Sequence, residues 1–210
     1  VGMGWGQTQP PELAPAVSMA PPPTPSRVGP SMQCGTNVAG LIHTTGTAGR
    51  WSVQPPLSIS VLYVVRAGAS SGANIVGCTY DGSGSAPYNA WLIYATGTGT
   101  IGLGCNNSGS WSDGTWGSTS VATGDLVLAT GIITPSARTL YVNGASATTS
   151  GVTTISYAAT AKLMIGCDAA PGSGALNCGA NIIGWWLHNR DIGLVGHQSL
   201  RADPFAILEG

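Results

Sequence analysis

Residues 105–120, CNNSGSWSDGTWGSTS, combine the side chains that are best suited to binding chemistry. Aromatic rings can stack on sugar rings, and amides and carboxylates can exchange hydrogen bonds with hydroxyl groups. The stretch therefore predicts a glycan-binding site, with the candidates Trp111, Trp116, Asp113, Asn106 and Asn107. The favoured alternative is that the two tryptophans pack onto the end of the domain or into a subunit contact, where large amphipathic rings are common.

Metal and thiol chemistry have less support in the sequence. Asp113 and its neighbouring amides could ligate calcium, but one carboxylate is a poor start for a shell of about six to eight oxygens. The three histidines show no ligand spacing relative to the five cysteines, so no metal site and no cofactor are predicted. The cysteines are interpreted as small buried hydrophobes, with a disulfide between Cys167 and Cys178 as the alternative.

The acidic residues do not form a catalytic pair. Glycoside hydrolysis needs two facing carboxylates, but the chain has only two glutamates, Glu12 and Glu209, near its ends. The aspartates fall at turns or at the ends of elements, and no two are spaced i, i+2. The sequence also lacks the G-x-S-x-G elbow of serine hydrolases. We therefore expect no catalytic residues and a protein that is not an enzyme.

The distribution of charged and apolar residues excludes nucleic acids and membranes as partners and favours association with other protein subunits. Charged residues make up 7% of the chain, and the formal net charge is −1. The seven basic residues are scattered singly between Arg27 and Arg201, so no basic patch predicts nucleic-acid binding. No apolar run approaches the ~20 residues of a membrane span. Because little repulsion opposes association, we expect a homo-oligomer or another permanent assembly.

Residues 1–30 predict an extended N-terminal arm. They hold eight of the fourteen prolines, and proline removes a backbone donor and fixes φ, so neither a helix nor a central strand is expected. Such an arm cannot build its own core, and we expect it to be held by its own domain or by a neighbouring subunit. Its candidate contact residues are Trp5, Leu13, Val17 and Met19.

From residue 31 onward the pattern is that of short strands separated by turns. In LSISVLYVVRA, residues 57–67, the side chains of Leu57, Ile59, Val61, Tyr63 and Val65 alternate toward one face. Asn143-Gly144 between two strand-like runs predicts a hairpin. Further strands are predicted in ANIVGCTY, AWLIYAT, TIGLGC, DLVLATGII, TLYVNG, AKLMIGC and ANIIGWWLHN, and the polar stretches between them, including NNSGSWSDGTWGS, are interpreted as turns and loops.

The chain closes with one helix, predicted at about residues 193–202. Helical spacing appears there for the first time, Asp191 is a candidate cap, and Asp203-Pro204 ends the segment. The complete prediction is an all-β protein. It has a two-sheet antiparallel sandwich domain at residues 31–210, the extended Pro-rich arm and one short C-terminal helix.

Three stretches resemble a known family: WSVQPPLSISVLYVVRA, RTLYVNGASATT and AKLMIGCDAAPGSGALNCGANIIGWWLHNRDIG. Their order is similar to that of the concanavalin A-like lectin/glucanase jelly roll in its laminin-G-like form, over roughly residues 50–208. The closing Asp203-Pro204-Phe205 with AIL looks most like the versions of this domain in tailed-phage virion proteins.

The resemblance, the arm and the low charge together imply a non-enzymatic structural protein of a tailed phage. The expected role is a capsid decoration or cement protein, or a subunit of a head or tail appendage. Its expected partners are the major capsid protein or its own copies, and its expected location is the virion, after synthesis in the cytoplasm of the host bacterium. The alternative is a lectin-like carbohydrate-binding module for attachment to host or environmental glycans.

Overall fold

A computed structural model describes residues 32–33, 41–43, 52–67, 74–79, 89–95, 99–117, 120–158, 161–168, 176–177 and 179–205. The predicted arm, with Trp5, Leu13, Val17 and Met19, lies outside the described residues. Within them the chain forms fourteen strands and one helix. The strands are β1 (Met32–Gln33), β2 (Leu41–His43), β3 (Leu57–Val65), β4 (Asn74–Thr79), β5 (Asn89–Ala95), β6 (Ile101–Asn107), β7 (Ser110–Trp116), β8 (Leu126–Ile133), β9 (Ala137–Val142), β10 (Ala145–Ser150), β11 (Lys162–Ile165), β12 (Cys167–Asp168), β13 (Leu176–Asn177) and β14 (Ala180–His188), and the helix is α1 (Gly193–Ala202).

Two antiparallel sheets form a jelly-roll sandwich, which confirms the predicted fold class. Sheet A has the strand order β1-β14-β3-β8-β9-β10, and sheet B has the order β2-β11-β4-β5-β6-β7. Strands β12 and β13 form a separate two-stranded ribbon. The strand pairings in all three sheets are antiparallel.

The hydrophobic core lies between the two large sheets, and β3 shows how the sequence pattern produces it. Leu57, Ile59, Val61 and Tyr63 are fully or almost fully buried in this core, and Val65 packs against it, as the alternation predicted. The sheets approach so closely at Gly131 of β8 that an added Cβ would lie 2.5 Å from a methyl carbon of a core leucine. A side chain at this position would require Leu103 of the facing sheet to move, so glycine is the residue that fits the present packing.

The predicted hairpin is present, and its turn residue has a second role. Asn143 and Gly144 connect β9 to β10 and adopt φ angles of 49° and 97°, the left-handed conformation that a two-residue hairpin turn needs. The Asn143 side chain also bonds to β8: its Oδ1 accepts the Leu128 N–H at 2.9 Å, and its Nδ2 donates to the Leu126 carbonyl at 3.2 Å. The turn therefore joins three strands of sheet A.

One predicted loop is wrong. The residues SWSDGTW form β7, the edge strand of sheet B, and not a connection. Ser108 and Gly109, with φ angles of 50° and 91°, make a two-residue turn that folds the chain back onto β6. Ser, Asp and Gly are common in turns, so their abundance concealed a strand that is held by its pairing with β6 rather than by strand propensity.

Helix α1 covers the outer face of sheet A. Its Leu200 packs on Leu62 and Leu128, which lie side by side on β3 and β8. The helix ends before Asp203-Pro204, as predicted, and the Asp203 N–H donates to the Ser199 carbonyl at 2.9 Å. The N-cap residue, Ile192, makes no side-chain capping hydrogen bond, but Asp191 Oδ1 accepts the Gly193 N–H at 2.7 Å. Asp191 therefore satisfies one donor of the first turn, as a capping residue would.

Candidate functional site

The predicted glycan site falls on the hairpin of β6 and β7. The backbone places Trp111 opposite Asn106 and Trp116 opposite Gly102, so the two tryptophans stand near opposite ends of β7. At the usual rise of a strand, these positions are about 15 Å apart, and a glycan that reached both would have to extend along the strand. The side chains of Trp111, Asp113 and Trp116 lie outside the described residues.

Asn106 is a structural residue, contrary to its prediction as a sugar contact. Its side chain is 1% exposed. Nδ2 donates to the carbonyls of Asn89 and Ser156 at 2.8 and 2.7 Å, and Oδ1 accepts the N–H groups of Ser156 at 2.8 Å and Gly109 at 3.4 Å. The amide is thus fully used in joining three chain segments, whereas the neighbouring Asn107 is exposed and still available to a ligand.

The described carboxylates have backbone roles. Asp125 Oδ2 accepts the Ala122 N–H at 2.8 Å, and Asp203 Oδ1 accepts the Phe205 N–H at 3.0 Å. Together with Asp191 at the helix start, each of these aspartates therefore holds a turn or a helix end. The described part of the chain contains no group of three or more His, Cys, Asp or Glu residues arranged to hold a metal ion.

Two cysteines lie in the core, as the sequence predicted for this residue type. Cys78 and Cys105 are free thiols and are fully buried. Burial raises the pKa of the Cys78 thiol to about 12. Burial also raises the pKa of Cys105, although the Arg138 guanidinium, 3.9 Å from the sulfur, acts in the opposite direction. Both thiols stay protonated and unreactive at neutral pH. Cys34 and Cys178, and the side chain of Cys167, are outside the described residues.

Buried polar side chains connect α1 to sheet A, at a place where the sequence predicted no site. Ser60 and Thr130 face each other on β3 and β8, and their hydroxyl oxygens are 2.9 Å apart. His197 Nδ1 lies 2.9 Å from the same Thr130 oxygen, and all three side chains are 0% exposed. The imidazole ring stacks on Tyr141 of β9, with ring centroids 5.3 Å apart. We call Ser60, Thr130 and His197 the helix lock.

The helix lock disfavours a charged imidazole. His197 Nε2 is buried and has no hydrogen-bond partner among the described residues. Burial lowers the pKa of His197, and the nearby Arg201 lowers it further. The ring is therefore neutral at physiological pH and acts in packing and hydrogen bonding. A sequence signal for this contact does exist, since β3 places Ser58 and Ser60 on the face opposite the core, but it does not show that a helix covers them.

Apolar surface is concentrated around α1. Three large hydrophobic side chains are exposed in the described part of the chain: Val195 at 75%, Leu126 at 57% and Leu194 at 43%. On one side of the helix, Leu126 lines a cavity of about 340 Å³ together with Leu200 and Arg201. On the other side lies a larger groove of about 420 Å³, the α1 groove, which is lined by His188, Arg190, Asp191, Ile192, Val195, Gly196, Ser199, Leu200 and Asp203.

The two-sheet sandwich and its outer helix define a jelly-roll domain, and the sequence places this domain in a family. A laminin-G-like family model, described as Concanavalin A-like lectin/glucanases superfamily, matches residues 45–182, which is more than half of the chain. The chain belongs to this superfamily, which confirms the resemblance of the three sequence stretches to the concanavalin A-like jelly roll. No curated protein sequence matches the chain.

Solved structures share the fold at low sequence identity. The Trypanosoma rangeli sialidase in complex with the inhibitor DANA matches 84% of this chain with a TM-score of 0.59 and 14% identity, but this chain spans only 28% of the sialidase. The CBM40 of the Ruminococcus gnavus IT-sialidase, a carbohydrate-binding module, matches 77% of this chain and 95% of its own, with a TM-score of 0.60 and 12% identity. The heptameric SAP-like pentraxin of Limulus polyphemus matches 81% of this chain and 78% of its own, with a TM-score of 0.56 and 14% identity.

The described residues include no helix with the length and apolar character that crossing a membrane requires. Helix α1 has ten residues.

Proposed function

We propose that this protein is a non-enzymatic structural subunit of a tailed-phage virion, which acts as a capsid decoration or cement protein or as part of a head or tail appendage. It attaches through its N-terminal arm to the major capsid protein or to its own copies. Trp5, Leu13, Val17 and Met19 supply the apolar contacts of the arm. No cofactor takes part, and the protein acts by occupying its place in the particle.

The observation that carries this proposal is the apolar surface around α1. Leu126 is exposed beside α1 and Leu194 is exposed on it, both at the outer face of sheet A, and exposed apolar surface of this kind marks contact sites. With 7% charged residues, the surface offers little electrostatic resistance to association. A non-enzymatic protein is expected to use its carboxylates structurally, and those of Asp125, Asp191 and Asp203 each accept a backbone N–H.

The test measures how much protein the assembled particle retains. Particles that carry the full chain are compared with particles that carry a variant in which Trp5, Leu13, Val17 and Met19 are replaced by serine. At about 25 cal/mol per Å² of buried apolar surface, four such side chains contribute several kcal/mol, so occupancy measured by quantitative mass spectrometry should fall by more than about tenfold. Full occupancy by the serine variant would exclude the arm as the anchor.

A carbohydrate-binding module is the second candidate, and one comparison favours it. The CBM40 is matched over 95% of its length, so the two domains correspond as whole sandwiches. The candidate contacts are Trp111, Trp116, Asp113 and Asn107 on the β6–β7 hairpin. A glycan array with the full chain tests this function, and the variants W111A and W116A are compared with the parent protein. Asn106 is left unchanged in both variants because it is a structural residue. Saturable binding that both variants abolish would establish it, and an array without signal would remove it.

A further inference from the structure

We propose that the α1 groove is the docking site for residues 21–31 of the same chain, the part of the arm that directly precedes β1. The proposal concerns only this part of the arm and holds whatever residues 1–20 bind. Its observations are the direction of β1, the lining of the groove and the composition of the segment.

The direction of β1 leads the arm to the groove. Met32 pairs with Ile182 and Gln33 with Asn181, and the pairing is antiparallel. The residues before Met32 are therefore directed toward the end of β14 at His188, where the α1 groove begins. From Ile182 to His188, β14 spans six residue steps, about 20 Å, a distance that the residues before Met32 can cover.

The sequence of the segment suits this path. Pro30 comes two residues before β1, which is an edge strand of sheet A, and edge strands are places where sheets accept proline. Beyond Ser26 the chain reads PPPTP at residues 21–25. These prolines cannot donate to a ladder, but they favour the extended polyproline II conformation, so such a segment loses little entropy when it docks in a groove.

The groove has the matching chemistry. Ile192, Val195 and Leu200 provide its apolar wall, and Val195 is the most exposed of the large hydrophobic residues in the described part of the chain. Asp191 and Asp203 lie at its rim. Arg27 is the only basic residue of the arm. The groove is lined by two carboxylates, Asp191 and Asp203, and by one arginine, Arg190, so a docked segment would cover Val195 and add a second cation to balance the two carboxylates.

Trypsin tests the proposal on the full chain, because Arg27 is the only tryptic site before Arg50. Cleavage after Arg27 follows the population of undocked arm, so V195Q should be cleaved about fivefold faster than the parent protein. L194Q is the matched control, since Leu194 is also exposed on α1 but does not line the groove, and it should be cleaved at the parent rate. Both positions are exposed, so neither variant should affect folding.

Three results would overturn the proposal. Equal cleavage rates for V195Q and the parent would show that the groove does not protect Arg27. Equal acceleration in V195Q and L194Q would show a general effect of α1. A parent rate that rises on tenfold dilution would show that the arm occupies the groove of another copy. The proposed virion function is tested separately, by particle occupancy. If the trypsin experiment rejects the docking of the arm, the proposed virion function is neither supported nor rejected by that result.

Discussion

Replacing Thr130 by valine should strongly destabilise the fold, although threonine and valine have nearly the same shape. The Thr130 hydroxyl lies 2.9 Å from both Ser60 Oγ and His197 Nδ1, and none of these side chains reaches solvent. T130V keeps the volume and removes the oxygen that both partners share. Two buried polar groups, on β3 and on α1, then lose their hydrogen bond in a single change.

The expected cost follows from the two groups that are left unpaired. A buried donor or acceptor without its partner costs about 1–3 kcal/mol, so the two together should cost about 2–4 kcal/mol if Ser60 partly recovers a backbone contact. Chemical denaturation at pH 7, followed by tryptophan fluorescence, measures this difference. T139V is the control, because Thr139 on β9 forms its hydroxyl contact, with Thr148 at 3.2 Å, at the surface. It should cost less than about 0.5 kcal/mol.

A double-mutant cycle separates the hydrogen bond from general packing. Once His197 has been replaced by leucine, T130V no longer leaves an imidazole nitrogen unpaired, so its cost should fall by at least about 1 kcal/mol. A T130V variant as stable as T139V would refute the helix lock as a stabilising contact. Strict additivity of T130V and H197L would show that the two side chains act independently.

Three further predictions concern pH, the Asn106 amide and the core. Burial lowers the pKa of both His188 and His197, and the nearby Arg190 and Arg201 lower it further. In the unfolded chain these histidines have the usual pKa of about 6.5, so the unfolded chain binds protons at a higher pH than the folded protein does. Stability should therefore be full above this pH and decline toward pH 5, and H197L should flatten the decline in denaturant midpoints measured across this range. N106L should cost about 2–4 kcal/mol in the same unfolding assay because it removes the four hydrogen bonds of a buried amide, whereas N107L at the exposed neighbouring position should be nearly neutral. G131V should lower the thermal midpoint through overpacking of about 1–3 kcal/mol, and an unchanged midpoint would show that the facing sheets can separate at that point.

The parts of the fold that the sequence predicted are those with local causes. The alternation of Leu57, Ile59 and Val61 follows from the period of a strand facing one core. The Asn143-Gly144 turn follows from the left-handed φ angles that these two residues tolerate. Both signals lie within a few residues of chain, so neither depends on how distant segments come together.

The helix lock and the Asn106 contacts depend on distant segments, and the sequence does not reveal them. Thr130 and His197 are 67 positions apart, and Asn106 bonds a backbone 50 positions away. A small polar residue on a strand indicates a solvent-facing position unless something covers it. The sequence predicted α1 itself but not where it docks, so the burial of Ser60 and Thr130 could not be foreseen.

The way in which α1 is held bears directly on what its outer side is for. The helix contains Gly193 and Gly196, lacks an acidic first turn and begins at an N-cap residue, Ile192, that makes no side-chain capping hydrogen bond, so its intrinsic stability is low. Its position is fixed instead by directional hydrogen bonds at Ser58 and Thr130 and by the packing of Leu200. Buried polar contacts of this kind allow few alternative arrangements of the helix. With Leu194 and Val195 exposed on a helix that is held in one position, α1 is the place at which the proposed docking of residues 21–31 should first be tested.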